Sequence, residues 1–330
     1  MAAPDLMARR ALGPATLEVV RAVEAALTGP ALVACSGGPD SLALAAAAAV
    51  VARRTGVVVR AAVVDHGLQP GSDAVATLVA ERLAGLGLPA LVLTVEVDAS
   101  GEGPEAAARQ ARYAALEEAA GGDDLLLGHT LDDQAETVLL GLARGSGARS
   151  LAGMPARRGR VVRPLLGVRA ETTRRACAEL GLEPWLDPHN ADDRFTRVRV
   201  RARVLPLLEA ELGPGIAEAL ARSATLVRAD ADLLDALAAA ERASHPEPEP
   251  ACDWLASLPP ALRGRVLRDW LREAGAADVT AGHVAAVDAL VTAWHGQRGA
   301  DVPGLRVRRV DGRLRVSPPG PGRPPASSRG

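Results

Sequence analysis

Ala31-Leu-Val-Ala-Cys35-Ser36-Gly37-Gly38-Pro39-Asp40-Ser41 joins a short apolar run to a glycine-bearing turn and then to an alanine-rich stretch reaching Arg54. The run Ala31–Cys35 reads as a buried strand, with Cys35 a small apolar residue at its end, and Ser41–Arg54 reads as a helix. A second strand, Val57–Val64, follows at once and is rich in β-branched residues. The alternation continues with a helix over Asp73–Ala84, stopped by Gly85 and Gly87, and a strand over Ala90–Val97. Then come a helix from Pro104 to Ala120, a strand over Leu125–Gly128 and a helix over Asp133–Ala143. A helix over Ala15–Leu27 precedes them all. Strands separated by single helices predict βαβ crossovers, hence an α/β fold with a doubly wound parallel sheet. In such a sheet ligands bind beyond the carboxyl ends of the strands.

Past Pro206 the pattern changes, and four regions are expected. Residues 1–206 form the α/β domain, and 207–250 a helical connector ending in the Pro-interrupted acidic linker His245–Pro250. Residues 251–317 form a small mixed domain. It has helices over Pro260–Glu273 and Ala281–Trp294, then a hairpin, Leu305–Val310 and Leu314–Val316, turning at Asp311-Gly312. The Pro-, Gly-, Ser- and Arg-rich tail 318–330 reads as disordered.

Composition excludes several classes. Of 330 residues, 48% are apolar and 24% charged, the balance of a soluble globular protein. The longest apolar candidate, Leu42–Ala52, is far short of the roughly 18 residues a membrane span needs. Arg9 and Arg10 have no apolar signal core behind them. Cys35, Cys177 and Cys252 are too far apart for a CxxC pair or a zinc knuckle, so a reducing cytoplasm is expected. All 38 basic residues are arginine, and isoleucine and asparagine occur once each, a skew that looks like GC-rich coding. Net charge is −2, but Arg144–Arg203 holds 14 arginines against 6 acidic residues, which allows a basic patch on a neutral protein. No stripe in the sequence sets an oligomeric state.

The chemistry-bearing residues follow strands. Ser36-Gly37-Gly38 lets the backbone turn with N–H groups inward, and the helix behind it offers unpaired N–H groups to an anion. Ser36 and Ser41 add hydroxyls, and Asp40 is placed to hold a magnesium ion on phosphates. The bland alternative is a turn with Asp40 or Ser41 as helix cap. The GxxxxGK[ST] spacing and its lysine are absent. His129, Asp132, Asp133 and Glu136 cluster after the fourth strand, although Asp133-x-x-Glu136 also reads as a capping pair. Arg109 and Arg112 share a helix face and can point at one anion. Arg144 sits where a helix end favours a cation.

Ser-Gly-Gly-x-Asp-Ser after a first strand resembles the signature of the PP-loop (N-type) ATP pyrophosphatases, which split ATP between the α- and β-phosphates and adenylate a substrate. Further stretches narrow the resemblance: Asp65-His66-Gly67-Leu68, Arg109-Gln-Ala-Arg112-Tyr113, and Gly128-His129-Thr-Leu-Asp132-Asp133-Gln134-Ala-Glu136-Thr137 running to Arg144-Gly145-Ser146-Gly147. Arg163-Pro164-Leu165-Leu166, Trp185-Leu-Asp187-Pro188-His-Asn190 and Arg197-Val-Arg-Val-Arg201-Ala-Arg203-Val-Leu-Pro206 follow. From about Val33 to Pro206 the chain resembles the tRNA(Ile)-lysidine synthases, and loosely beyond.

The resemblance implies a concrete reaction. Magnesium-ATP adenylates the 2-oxygen of the wobble cytidine in a CAU-anticodon tRNA(Ile), and the ε-amine of free L-lysine displaces AMP to leave lysidine. On this reading Ser36, Gly37, Gly38, Pro39, Asp40 and Ser41 form the ATP loop, with Asp65 and His66 near the adenine or ribose. His129 becomes a proton acceptor or phosphate contact. Asp132, Asp133 and Glu136 attract the lysine amine or coordinate Mg2+. Arg109, Arg112, Arg144, Arg197, Arg201 and Arg203 meet phosphates or tRNA; the last three, with Arg199, are spaced by two along an extended segment or a curved helix stripe. The chain departs from the usual pattern at Thr130, where a second histidine is common, at Val198, where asparagine is frequent, and at Gln69. The rival readings are a PP-loop tRNA thiolase, which needs paired cysteines or a cluster, an amide-forming synthetase of the same fold, and a non-enzymatic RNA-binding module indifferent to ATP.

Overall fold

The computed structural model describes residues 12–65, 67, 71–95, 104–145, 147–186 and 192–318. His66, Ser146 and the tail from 319 onward lie outside them. By internal contacts the chain divides into two units, one of residues 1–146 with 150–225, the other of 147–149 with 226–330.

In the first unit α1 (Pro14–Ala26), β1 (Ala31–Ala34), α2 (Pro39–Thr55), β2 (Val59–Asp65), α3 (Ser72–Gly85), β3 (Ala90–Thr94), α4 (Pro104–Ala120), β4 (Asp124–Leu126) and α5 (Leu131–Ala143) succeed one another. The expected doubly wound parallel sheet is present, in the order β3-β2-β1-β4-β6-β5, with β5 at Arg157–Arg158 and β6 at Val161–Val162. Ala31 of β1 stands in register with Val59 of β2 on one side and Asp124 of β4 on the other. The strand order reverses between β1 and β4, which opens a crevice at their carboxyl ends. Two elements escape a reading by periodicity: β5 and β6, each too short to show alternation. The antiparallel β5 closes that edge.

Helix α2 is buried along its whole run from Leu42 to Val51, and it packs against α1 and α6 (Ala170–Leu180). Alanine at five successive positions, 45–49, all buried, lets its backbone approach its neighbours closely. Gly13 offers no side chain to cap α1, so the Glu179 carboxylate of α6 does it, accepting from Thr16 N at 2.8 Å and Ala15 N at 3.1 Å. Beyond α6, α7 (Thr196–Arg199) passes through a π-helical turn, Val200–Val204, into α8 (Leu205–Leu212). Of the two conformations open to the arginine-rich stretch, the helical one is therefore found.

Helix α9 spans Ile216–Ser244. In the second unit α10 (Cys252–Ser257), α11 (Pro260–Glu273) and α12 (Ala281–Thr292) enclose a core of Leu255, Leu267, Trp270 and Leu271 with a three-stranded antiparallel sheet. Its strands are β7 (Ala300–Val302), β8 (Leu305–Val310) and β9 (Arg313–Ser317). Asp311 (φ 50°) and Gly312 (φ 72°) both adopt the left-handed conformation a two-residue hairpin turn requires. The three-residue β7 lies outside the expected hairpin.

Candidate active site

The turn between β1 and α2 is built around one hydroxyl. Ser41 Oγ donates to Gly38 O at 3.0 Å, accepts from Ser36 N at 3.2 Å and lies 3.3 Å from Ser36 Oγ. Gly37 adopts φ +84°, and a Cβ there would meet Val79 Cγ2 at 2.6 Å. Its carbonyl accepts from Trp185 N at 2.9 Å. Just past β4, a Cβ on Gly128 would stand 3.1 Å from the Asp40 carbonyl, so this strand end approaches the first turn of α2 only because residue 128 lacks a side chain. Gly38 is the N-cap of α2 and makes no side-chain cap bond. The helix thus keeps first-turn N–H groups for a ligand. Replacing Gly37 by alanine should impose backbone strain and the Val79 collision together, costing about 1–3 kcal/mol of stability. Binding of a non-hydrolysable ATP analogue should fall at least tenfold; an unchanged affinity would separate this turn from the nucleotide.

Asp40 does not act as a cap. Its carboxylate takes the Thr173 hydroxyl from α6, which also donates to Ala170 O at 2.8 Å. One turn on, Cys177 Sγ reaches Pro39 O at 3.4 Å, so α6 grips the first turn of α2 at two points. Burial pushes the Asp40 carboxyl up to about 6, Asp133 adds to the shift, and the Thr173 hydroxyl, Arg174 and Arg201 oppose it. Thr173 is fully buried, and no local sequence signal marks it.

Helix α5 begins at Leu131, two residues before the expected start, because Thr130 is its N-cap. Asp133 N donates to Thr130 Oγ1 at 3.4 Å and Thr130 N to Asp133 Oδ2 at 2.9 Å. The capping pair is therefore Thr130–Asp133, which gives the unusual threonine a structural task, and not Asp133–Glu136. Asp132 turns out of the crevice: its Oδ2 accepts from Ala170 N at 2.7 Å and Arg169 Nε at 3.2 Å, capping α6. That placement corrects the expectation of Asp132 at the lysine amine or the metal. Glu136 is wholly buried and accepts from Arg197 Nε at 2.8 Å and Arg201 Nε at 2.5 Å. Arg201 Nη2 reaches Asp133 Oδ1 at 3.1 Å. Arg197 and Arg201 are thereby tied to the α5 carboxylates and do not form an open phosphate stripe, a second correction. Burial pushes His129 down to about 4, opposed by Asp133 and reinforced by Arg163, Arg197 and Arg109, so its ring is neutral at neutral pH.

Ser36, Gly38, Pro39, Asp40, Ser41, Asp65, Arg112, His129, Asp133 and Arg201 line one cavity of about 440 Å³ at the carboxyl ends of β1, β2 and β4. Gly37 is buried in the turn itself. Asp65 Oδ1 accepts from Gly67 N at 3.0 Å; His66 lies outside the described residues. Arg109 is exposed, Arg144 is the exposed C-cap of α5, and the exposed Arg203 pairs with Asp193; none of the three lines the cavity. Tyr113 and Trp185 do line it. The carboxylates on the cavity wall are Asp40, Asp65 and Asp133, and among the described residues no cluster of three or more metal-ligating side chains occurs. All three cysteines are buried free thiols. Burial pushes Cys35 up and Cys177 to about 12, the opposite of a reactive sulfur. A mononucleotide polyphosphate fits this arrangement: a glycine turn without room for a Cβ, a free helix N-terminus and cationic walls.

Comparison with known proteins agrees. A family model described as PP-loop domain matches residues 17–208, and one described as TilS substrate binding domain matches residues 251–315. A tRNA(Ile)-lysidine synthase of Salinispora tropica is 54% identical over 94% of this chain and 98% of its own length. That of Thermobifida fusca is 55% identical over 87% and 91%, and that of Mycobacterium tuberculosis 55% over 82% and 83%. Among solved structures, the U34-tRNA thiolase NcsA of Methanococcus maripaludis with its [4Fe-4S] cluster superposes with a TM-score of 0.53. It shares 16% identity and covers 65% of this chain and 80% of its own, a likeness of fold alone. With that PP-loop domain and relatives matching nearly end to end at more than half identity, the chain belongs to the tRNA(Ile)-lysidine synthase family.

Proposed function

We propose that the chain ligates free L-lysine to the 2-carbon of the wobble cytidine of CAU-anticodon tRNA(Ile), consuming ATP and releasing AMP and pyrophosphate. The observation that carries this reading is the Ser36–Ser41 turn opening on the same cavity as His129, Asp133 and Arg201. The turn and the α2 N-terminus hold polyphosphate; Arg201 stabilises charge on the leaving pyrophosphate. Asp40, with Asp133 across the cavity, would hold Mg2+ against the phosphates, since that ion is commonly bound by one or two carboxylates plus substrate oxygens. Neutral His129 is ready to accept a proton from the attacking amine, which must lose one to become a nucleophile. Glu136 sets Arg197 and Arg201, and Asp132 sets α6, so both act through other residues. The unit beginning at 226 would grip the tRNA body, and a cytoplasmic site of action follows from the substrate.

A thiolase reading lacks support: the described cysteines lining the cavity amount to Cys35, whose sulfur packs 3.6 Å from Ser41 Oγ. The deciding experiment offers radiolabelled lysine, magnesium-ATP and a CAU-anticodon tRNA(Ile) transcript to the full chain. Label that survives mild alkali and requires the wobble cytidine is expected. Alkali-labile label would indicate an ester, and AMP release only with a sulfur donor would restore the thiolase.

A further inference from the structure

We infer that Arg109, Arg112 and Arg163, gathered on Tyr113, form a second anion subsite that receives an RNA phosphodiester beside the base entering the cavity. The inference rests on the reading above that RNA is the substrate. Arg109 lies 5.2 Å from the Tyr113 ring centroid, with Nη2 3.5 Å from the hydroxyl, and Arg112 lies 5.7 Å from the same ring. Arg163, directly after β6, has the Tyr113 hydroxyl beside it and donates from Nη1 to Pro155 O at 3.0 Å. Its Nε is buried without an acceptor, and Nδ1 of His129 nearby is buried without a hydrogen-bond partner.

Several arginines elsewhere have carboxylates: Arg263 pairs with Asp288 at 2.5 Å, Arg242 with Glu273 at 2.9 Å, and Arg197 and Arg201 with Glu136, whereas the partly buried Arg309 is met by the Leu290 and Val291 carbonyls and the Trp294 ring. No carboxylate among the described residues forms an ion pair with Arg109, Arg112 or Arg163. Guanidinium groups remain charged, so three cations and an unfilled donor stand together with no carboxylate partner among the described residues. Burying unpaired charge is costly, and an anion supplied by a ligand removes that cost.

Two sources of phosphate are at hand, ATP and RNA. The glycine turn and helix N-terminus already furnish a polyphosphate site on the other side of the crevice. The arginine cluster instead runs from the cavity wall, where Arg112 lies, to solvent, where Arg109 is exposed. A backbone that stays outside while its base enters needs such a rim. The guanidinium fork suits phosphodiester oxygens.

The test titrates a fluorescent CAU-anticodon stem-loop RNA into the full chain between 50 and 200 mM salt (about one decade of electrostatic leverage per few contacts), and an ATP analogue separately. For Arg163→Gln and Arg109→Gln we expect RNA affinity to fall about tenfold, with the slope of log K against log salt reduced by about 0.7 per contact. ATP-analogue affinity should stay within about twofold, and Arg163→Lys should keep the slope. Unchanged slopes in both glutamine variants would overturn the subsite. An ATP-analogue loss as large as the RNA loss would reassign it to polyphosphate and overturn the RNA proposal. Arg109 is on the surface, so its variant reports even if Arg163→Gln misfolds. A wild-type chain that neither binds the stem-loop nor transfers lysine would instead remove the functional reading, before any variant is compared.

Discussion

Replacing Asp40 by asparagine should yield a more stable chain that releases no AMP. The carboxyl titrates at about 6 in the fold against an ordinary 3.8, because burial opposes its charge more than Thr173, Arg174 and Arg201 support it. A folded pKa above the unfolded one means that stability is fullest below the unfolded value and is lost as pH rises through the folded one. At neutral pH the charged carboxylate therefore costs up to about 3 kcal/mol, from 1.36 kcal/mol per pH unit. Asparagine keeps an oxygen for the Thr173 hydroxyl and carries no charge. Melting of the variant should rise by several degrees at pH 7.5, at about 2–4 °C per kcal/mol. The gain should shrink to roughly half at pH 5, where part of the wild-type cost has already gone. Activity of the wild type should climb with pH through about 6 as the carboxylate ionises, and the variant should show no such limb because it is inactive throughout. A variant less stable than wild type at pH 7.5 would mean that Asp40 is a structural anchor, contrary to this account. Such opposition between stability and function is what a ligand-binding charge in a dry site produces.

The second large effect is expected at Glu136. Its carboxylate has no exposure and meets the Nε groups of Arg197 and Arg201 at 2.8 and 2.5 Å. Glutamine at that place retains one oxygen but turns an amide N–H toward a guanidinium. Removing one partner of a buried ionic cluster costs about 3–5 kcal/mol; the arginines here are partly solvated, which favours the lower end. Arg201 also lines the cavity, so loosening it should lower lysine transfer by about a hundredfold or more, the scale of a misplaced catalytic contact. Chemical denaturation and single-turnover transfer on the same sample check both parts. A variant that keeps wild-type stability and rate would show that the arginines are held by other means.

Much of this was legible from the chain itself, and the legible part has a common cause. The strand, glycine turn and helix around Ser36–Ser41 are encoded by residues adjacent in sequence, as are the three crossovers that join β1 through β4. The Thr130–Asp133 cap is equally local, yet the acidic pair Asp132-Asp133 hides it by offering two carboxylates with different destinations. Asp132 goes to Ala170 N, 38 residues away, and Glu136 to Arg197 and Arg201, 61 and 65 residues away. No periodicity reports such pairings, because they depend on where α6 and the π-helical turn come to lie. Thr173 is the clearest case: a threonine inside an ordinary helix whose role exists only because Asp40 stands opposite it. The two-residue strands β5 and β6 are similarly products of tertiary pairing.

The alanines of α2 have a consequence for motion. A side chain without rotamers cannot repack, so the layer beneath the Ser36–Ser41 turn has a single arrangement available to it. The Ser36–Ser41 turn thus stands on a wall with one shape, and a ligand entering the cavity must adapt to that wall.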